Sequence, residues 1–216
     1  MIIQWLGQSC FKFQTKNNDQ EITVITDPYS DSDKRKMSKV QVDIVTISHD
    51  HQDHNNLDAI KNDDVFVINV PGEYETKGVF VFGIPDWHDD KEGKERGQNT
   101  LYKFNIEDMD VLHLGDLGRV LPDEQIERIG NVDVLLIPVG GTYTIDAKTA
   151  VKVMSQLEPK IVIPMHYKLP GQTDSKLASV DEFIKLSGLT AENMDKLKIL
   201  KKDLPMEDTK LIVLNN

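Results

Sequence analysis

Three of the six histidines in this 216-residue chain fall within six positions, in Ser48-His49-Asp50-His51-Gln52-Asp53-His54. The HxHxDH spacing gathers three imidazoles and a carboxylate on one short loop, the ligand types that hold two transition-metal ions side by side. The rival reading, a solvated loop that is His-rich by chance, is weighed against its flanks. Before the cluster, Val42-Asp43-Ile44-Val45-Thr46-Ile47 is rich in β-branched residues and reads as a strand buried on both faces. After it, Asn55-Asn56-Leu57-Asp58-Ala59-Ile60 offers a helix-starting Asn and then apolar spacing. A strand-to-helix loop is therefore expected, with rigid elements gripping the ligands from both sides.

The elements around that loop must come from one core. At 39% hydrophobic, 216 residues suffice for one sizeable core and are short for two, so a single domain over 1–216 is expected. No Gly/Ser-rich or Pro-rich linker, repeat or membrane-length apolar run interrupts the chain. Met1-Ile2-Ile3-Gln4-Trp5 lacks the positive region and apolar stretch of a secretory signal, and the single Cys10 falls in an apparent strand. A cytoplasmic protein is expected, with Cys10 a buried small hydrophobe. The formal charge of -11 disfavours a polyanionic partner such as nucleic acid and leaves a small molecule as the expected one. Lys34-Arg35-Lys36 is the tight basic run, diluted by Asp31 and Asp33, and reads as a solvated turn.

Strands are expected at 2–5, 10–13 and 22–26 as a meander, at 65–70 and 79–84 on either side of turn residues Pro71-Gly72, and at 101–104 and 111–114. The charged stretch 86–100, which carries His88, reads as a loop long enough to suspect function. Strand and helix then alternate: helix at 122–129, strand at 132–137, amphipathic helix at 146–157, strand at 161–163. Ser179-Val180-Asp181-Glu182 has capping-box spacing before a short helix at 182–186, and 211–214 closes as a strand. Sheets with helices packed outside them are the expected architecture.

Taken in order, His49-Asp50-His51-Gln52-Asp53-His54, His88, Gly115-Asp116 and His166 resemble the motifs of the metallo-β-lactamase-fold hydrolases. Within that superfamily the chain looks most like the small bacterial metal-dependent hydrolases grouped with L-ascorbate-6-phosphate lactonase. This likeness rests on Trp5-Leu6-Gly7-Gln8-Ser9-Cys10-Phe11, Pro71-Gly72-Glu73-Tyr74-Glu75, His113-Leu114-Gly115-Asp116-Leu117-Gly118, the segment 133–144 and Ile163-Pro164-Met165-His166-Tyr167. It implies a mixed α/β protein, a four-layer αββα sandwich with the metals at one edge. It also implies that His49, His51 and His88 hold one divalent ion while Asp53, His54 and His166 hold the other, with Asp116 bridging. Zinc is the default, with manganese or iron as alternatives for a donor set of imidazole and carboxylate.

The chemistry so implied is hydrolysis of a small anionic ester, lactone or phosphodiester by a hydroxide shared between the two ions. Asp53 and His166 are the expected catalytic residues, Asp53 orienting that nucleophile. Tyr167 and Lys168, together with backbone N–H groups of Gly141 and Thr142, are candidate contacts to a substrate anion. His113 is expected to support the site without ligating metal. Asp27, Glu73, Tyr74 and Trp87 each admit a supporting role or ordinary packing. Gln8 and Arg119 depart from the related pattern, where His is common at both positions. Two further readings stay open: a nuclease-type phosphodiesterase of the same fold, and a metal-binding protein on this fold that does not hydrolyse.

Overall fold

The computed structural model describes residues 1–30, 37–172 and 175–216, so Lys34-Arg35-Lys36 lies outside the described residues. The expected meander forms as β1 (Ile2–Gly7), β2 (Cys10–Asn17) and β3 (Gln20–Thr26), paired antiparallel. β4 (Ile44–Thr46) joins β3 in parallel, and β5 (Phe66–Ile68) joins β4. Period-two alternation sends neighbouring side chains to opposite faces. Val24 and Ile44 therefore enter the main core, whereas Ile25 and Val45, one residue on, enter a smaller cluster with Cys10, Met37 and Ala59.

A second sheet holds β6 (Gly72–Thr76), β7 (Val79–Trp87), β8 (Gln98–Ile106) and β9 (Met109–His113) as antiparallel neighbours. Its parallel half continues through β10 (Val134–Pro138) and β11 (Ile161–Met165), which are buried along their whole length, as strands covered on both faces must be. β12 (Ala191–Met194) lies at that edge, and the short β13 (Leu197–Lys198) crosses to pair with β1. β14 (Lys210–Leu214) fits between β11 and β12. Phe13 of one sheet meets Phe104 of the other edge-on at 5.2 Å, so the two sheets share one core.

Parallel neighbours need crossovers, and here α1 (Asp123–Ile129) links β9 to β10, α2 (Ala147–Leu157) links β10 to β11, and α3 (Val180–Ser187) follows β11. The α2 helix presents Ala147, Ala150, Val153, Met154 and Leu157 to the core at helical spacing. Asp146 caps it by accepting Thr149 N–H at 2.8 Å. Two sheets with a helical layer thus form the expected sandwich.

Several local expectations change. The segment after the His loop closes only one 3₁₀ turn, Leu57–Ala59, because Asn56 spends its side chain on Tyr29 O at 2.8 Å instead of capping. Among the described residues, that turn and irregular chain make up the cover outside the six-stranded sheet. The bend at Val70 and Pro71 is followed directly by β6, which Gly72 opens. The expected capping box at α3 does not form, since Ser179 Oγ donates to the Asp181 carboxylate at 3.0 Å. The 86–100 loop shrinks to 88–97 because β7 and β8 run further than their apolar cores. Among the described residues no helix is long and apolar enough to cross a membrane.

Candidate metal centre

Four strand ends supply the candidate ligands: the His loop follows β4, His88 follows β7, Asp116 follows β9 and His166 follows β11. Side chains 112 residues apart in sequence, His54 and His166, stack with ring centroids 6.1 Å apart because these strands end at one edge of the sandwich. The geometry forms three overlapping groups, His49 with His51 and His88, His49 with His54 and Asp116, and Asp53 with His54 and His166. Within each group one ligand atom per residue lies within 4.8 Å of the others. Every residue expected to hold metal is therefore brought into one cluster. His51 is exposed and Asp53 half-exposed, and both face the open side; His54, His88, Asp116 and His166 are buried.

Asp116 Oδ2 lies 3.4 Å from His54 Nε2, 3.5 Å from His88 Nε2 and 3.5 Å from His166 Nε2. These separations are long for three hydrogen bonds to one oxygen. They fit donor atoms turned toward a common cation site instead of toward one another. His49 Nε2 and His54 Nε2 are buried without a hydrogen-bond partner, a costly arrangement unless an external group takes them. By donor chemistry and by these orphaned nitrogens, the residues fit divalent-cation binding.

The ring orientations are set from behind. Asp27, which follows β3 and is fully buried, accepts His54 Nδ1–H at 3.0 Å and Ser48 Oγ–H at 2.6 Å on Oδ2, and Ser48 N–H at 2.7 Å on Oδ1. Ser48 Oγ in turn accepts His49 Nδ1–H at 2.9 Å. Both rings are thereby fixed with Nδ1 protonated and Nε2 turned toward the cluster. Asn99 holds the Asp116 loop by accepting Asp116 N–H and donating to Leu114 O, each at 2.9 Å, while Ser9 Oγ donates to Asp116 Oδ1 at 3.1 Å.

Packing leaves no slack at this edge. A Cβ on Gly140 would overlap His166 O, and one on Gly115 (φ 53°) would overlap Asn99 and Ser48, so glycine is required at both. Asp27 (φ 42°) and His166 (φ 52°) hold left-handed backbone, which non-glycine residues adopt mainly where surroundings impose it.

Charge is distributed unevenly over the rings. Burial opposes ionisation of Asp116, yet the surrounding His166 and His54 hold its carboxyl well below the usual range. Burial alone would depress His54, but Asp116 and Asp27 on its two sides raise it well above the ordinary imidazole value. His49 is pushed down to about 3 by burial and by neighbouring His54, and burial also lowers His88. Neutral His49 and His88 beside an ionised Asp116 are in the protonation states that cation binding requires, whereas His54 would release its proton to a bound cation.

The remaining candidates read from the sequence fall outside the cluster or at its rim, and His113 is one: its Nε2–H donates to Ser9 O at 2.7 Å and its Nδ1 accepts Gly115 N–H at 3.2 Å. Tyr167 is buried against Trp5, ring centroids 4.9 Å apart, and Lys168 is partly exposed. The Gly141 N–H is taken by Ile145 O at 3.3 Å, while Thr142 lies exposed with its hydroxyl donating to Lys176 O. Glu73 and Tyr74 lie on β6, the tyrosine hydroxyl donating to Val70 O at 3.0 Å. Arg119 pairs with buried Asp86 at 2.7 Å, tying the end of β7 to the segment after Asp116. Ser48, Asn99 and Asp89 were not singled out by sequence; the position of Asp89 two residues before Lys91, whose N–H it accepts at 2.8 Å, is the local Asx pattern that could have shown it.

The family model described as "Beta-lactamase superfamily domain" matches residues 2–166. A protein of Staphylothermus marinus named UPF0173 metal-dependent hydrolase is 30% identical over 198 residues, covering 77% of this chain and 83% of its own. One of the same name from Pyrococcus horikoshii is 28% identical, covering 97% and 99%. Both are archaeal, so the likeness extends beyond the bacterial group named from the motifs. A solved Thermotoga maritima structure of the metallo-β-lactamase superfamily superposes with a TM-score of 0.77 at 35% identity, covering 99% of each chain. The chain belongs to the metallo-β-lactamase superfamily.

Proposed function

We propose that this protein is a metal-dependent hydrolase with two divalent cations, zinc in the first instance, acting on a small anionic ester, lactone or phosphodiester. The observation that carries the reading is the placement of Asp116 Oδ2 within 3.5 Å of the Nε2 atoms of three histidines drawn from three strand ends. The hydrolase name of the curated relatives supports the reaction class. His49, His51 and His88 would hold one ion and Asp53, His54 and His166 the other, with Asp116 between them. When bound, such ions polarise the scissile bond and bring water within reach of deprotonation near neutral pH.

The chain's own residues do the rest. Asp27 and Ser48 keep the Nε2 lone pairs of His54 and His49 pointed into the site, and Asn99 with Ser9 fixes the Asp116 carboxylate. Asp53, whose side chain is 51% exposed and lies 3.8 Å from His54 Nε2, would orient the attacking water and pass a proton to the leaving group besides its place among the ligands. No serine or cysteine nucleophile is needed, and Cys10 is buried with its thiol pushed up by burial. We assign a small-molecule substrate in a reducing cytoplasm, the acidic balance setting nucleic acid aside.

Elemental analysis of protein purified without chelator, coupled to a screen with bis-p-nitrophenyl phosphate and a lactone panel, tests the reading. Two metals per chain with chelator-sensitive turnover are expected. Protein that takes up no metal after reconstitution would refute it.

A further inference from the structure

We propose that Arg96 is the anion anchor of the substrate site, receiving an oxyanion that the substrate carries away from its scissile bond. The substrate part rests on the hydrolase reading; the anion-binding part stands on the geometry of one loop.

That loop, 88–97, is closed on itself by Asp89. Its Oδ1 accepts the N–H groups of Lys91 and Gly93 at 2.8 and 2.9 Å, and its Oδ2 accepts those of Glu95 and Arg96 at 3.0 and 2.7 Å. The backbone of Arg96 is therefore pinned, and the next residue, Gly97, accepts His88 N–H through its carbonyl at 3.1 Å. The Arg96 side chain donates to Thr142 O at 3.1 Å and lies 5.2 Å from the centre of the Tyr143 ring. Thr142 and Tyr143 follow Gly140, which packs directly on His166 O. The guanidinium thus spans the rim from the loop holding His88 to the segment against His166.

Its charge is left uncompensated. Nearby Lys91 pairs with Glu95 and Arg119 with Asp86, but among the described residues no carboxylate lies within 4.0 Å of Arg96, in a chain with 36 acidic side chains. A carbonyl and an aromatic face hold the planar fork in place and leave other N–H donors for bidentate capture of an oxyanion. The side chain is half-buried, so an ion pair there is screened less than one in open water. A chain of net charge -11 repels an anion at long range and needs a local cation to bind one.

Calorimetric titration of the Zn2+-loaded protein with glutarate and butyrate, in the unaltered chain and in Arg96→Ala, separates this from a loop-stapling role. Glutarate, which carries a second carboxylate where butyrate has a methyl group, is expected to bind about five- to tenfold tighter than butyrate. That ratio should fall below about twofold in Arg96→Ala and return in part in Arg96→Lys, with metal content unchanged. A ratio of one in the unaltered protein, or a ratio that survives Arg96→Ala, overturns the proposal. A stapling residue gives the second outcome, weakening both ligands alike and loosening amide exchange across 88–97. Because binding is read without turnover, and the cycle is repeated on metal-free protein, a chain that hydrolyses nothing would sink the hydrolase reading and still leave Arg96 decided.

Discussion

Asp27 faces the back of the His54 ring, its Oδ2 3.0 Å from Nδ1, and the same oxygen takes the Ser48 hydroxyl that holds His49. One buried carboxylate therefore sets rings belonging to both halves of the cluster. Asp27→Asn is expected to weaken zinc binding by about 10- to 100-fold, with Ser48→Ala costing less because only His49 loses its support. Competition against a chromophoric chelator measures both, and affinity unchanged in Asp27→Asn would remove the role.

The ligand cluster and His113 should separate cleanly. Asp116→Ala and His51→Ala are expected to lose metal and hydrolysis together, since each removes a donor from a shared group. His113→Ala should keep its metal yet lose about 2–4 kcal/mol of stability, because Ser9 O and Gly115 N–H lose their partner and a cavity opens. Metal content by mass spectrometry with urea unfolding reads the contrast; retention of two metals by both ligand variants would overturn the assignment.

Asp89 makes the fold acid-sensitive at one loop. Burial opposes its ionisation, but four backbone N–H groups hold its carboxyl down at about 2, below the value of about 3.9 in an unfolded chain. A depressed carboxyl adds stability above its unfolded pKa and loses it as pH falls through the folded one. The stability gap between the unaltered protein and Asp89→Ala should therefore be full at neutral pH and close between about pH 4 and pH 2. Urea midpoints across that range test it, and a gap independent of pH would refute it.

Arg119 gives a stability test away from the ligands. Asp86 is buried, spends Oδ1 on Arg119 Nε and Trp87 N–H, and has no protein partner on Oδ2. Arg119→Ala leaves that carboxylate uncompensated and should cost about 1–3 kcal/mol, less than a fully buried pair because Arg119 is partly exposed. Adding Asp86→Asn should recover part of the loss; a double variant no better than Arg119→Ala would argue against the pair.

The ligand loop, the parallel half of the second sheet and α2 were legible because their signals are local: fixed His spacing, continuous apolar runs, and a helical period behind Asp146. What stayed hidden depends on partners distant in sequence. Asp27 reads equally as a strand terminator until His54 is seen beside it, and Asn99 gains meaning only when Asp116 folds against it. β12 and β13 are too short and polar for a period to show, and their pairing with β14 and β1 is what makes them strands. The helix expected from Asn55-Asn56 and the capping box expected at Ser179 failed for one reason: the side chains of Asn56 and Ser179 each found a better partner than a helix N-terminus.

Cys10 is the one thiol in the chain, and it is closed off beneath the outer cover of the six-stranded sheet. A maleimide or nitroxide reagent should therefore find nothing to react with in the folded protein. A cysteine introduced on the exposed tip of the Asp89 loop, at Glu92 for example, would be the sole labelling position. The native sequence is thus already a silent background for spectroscopy at the rim of the site.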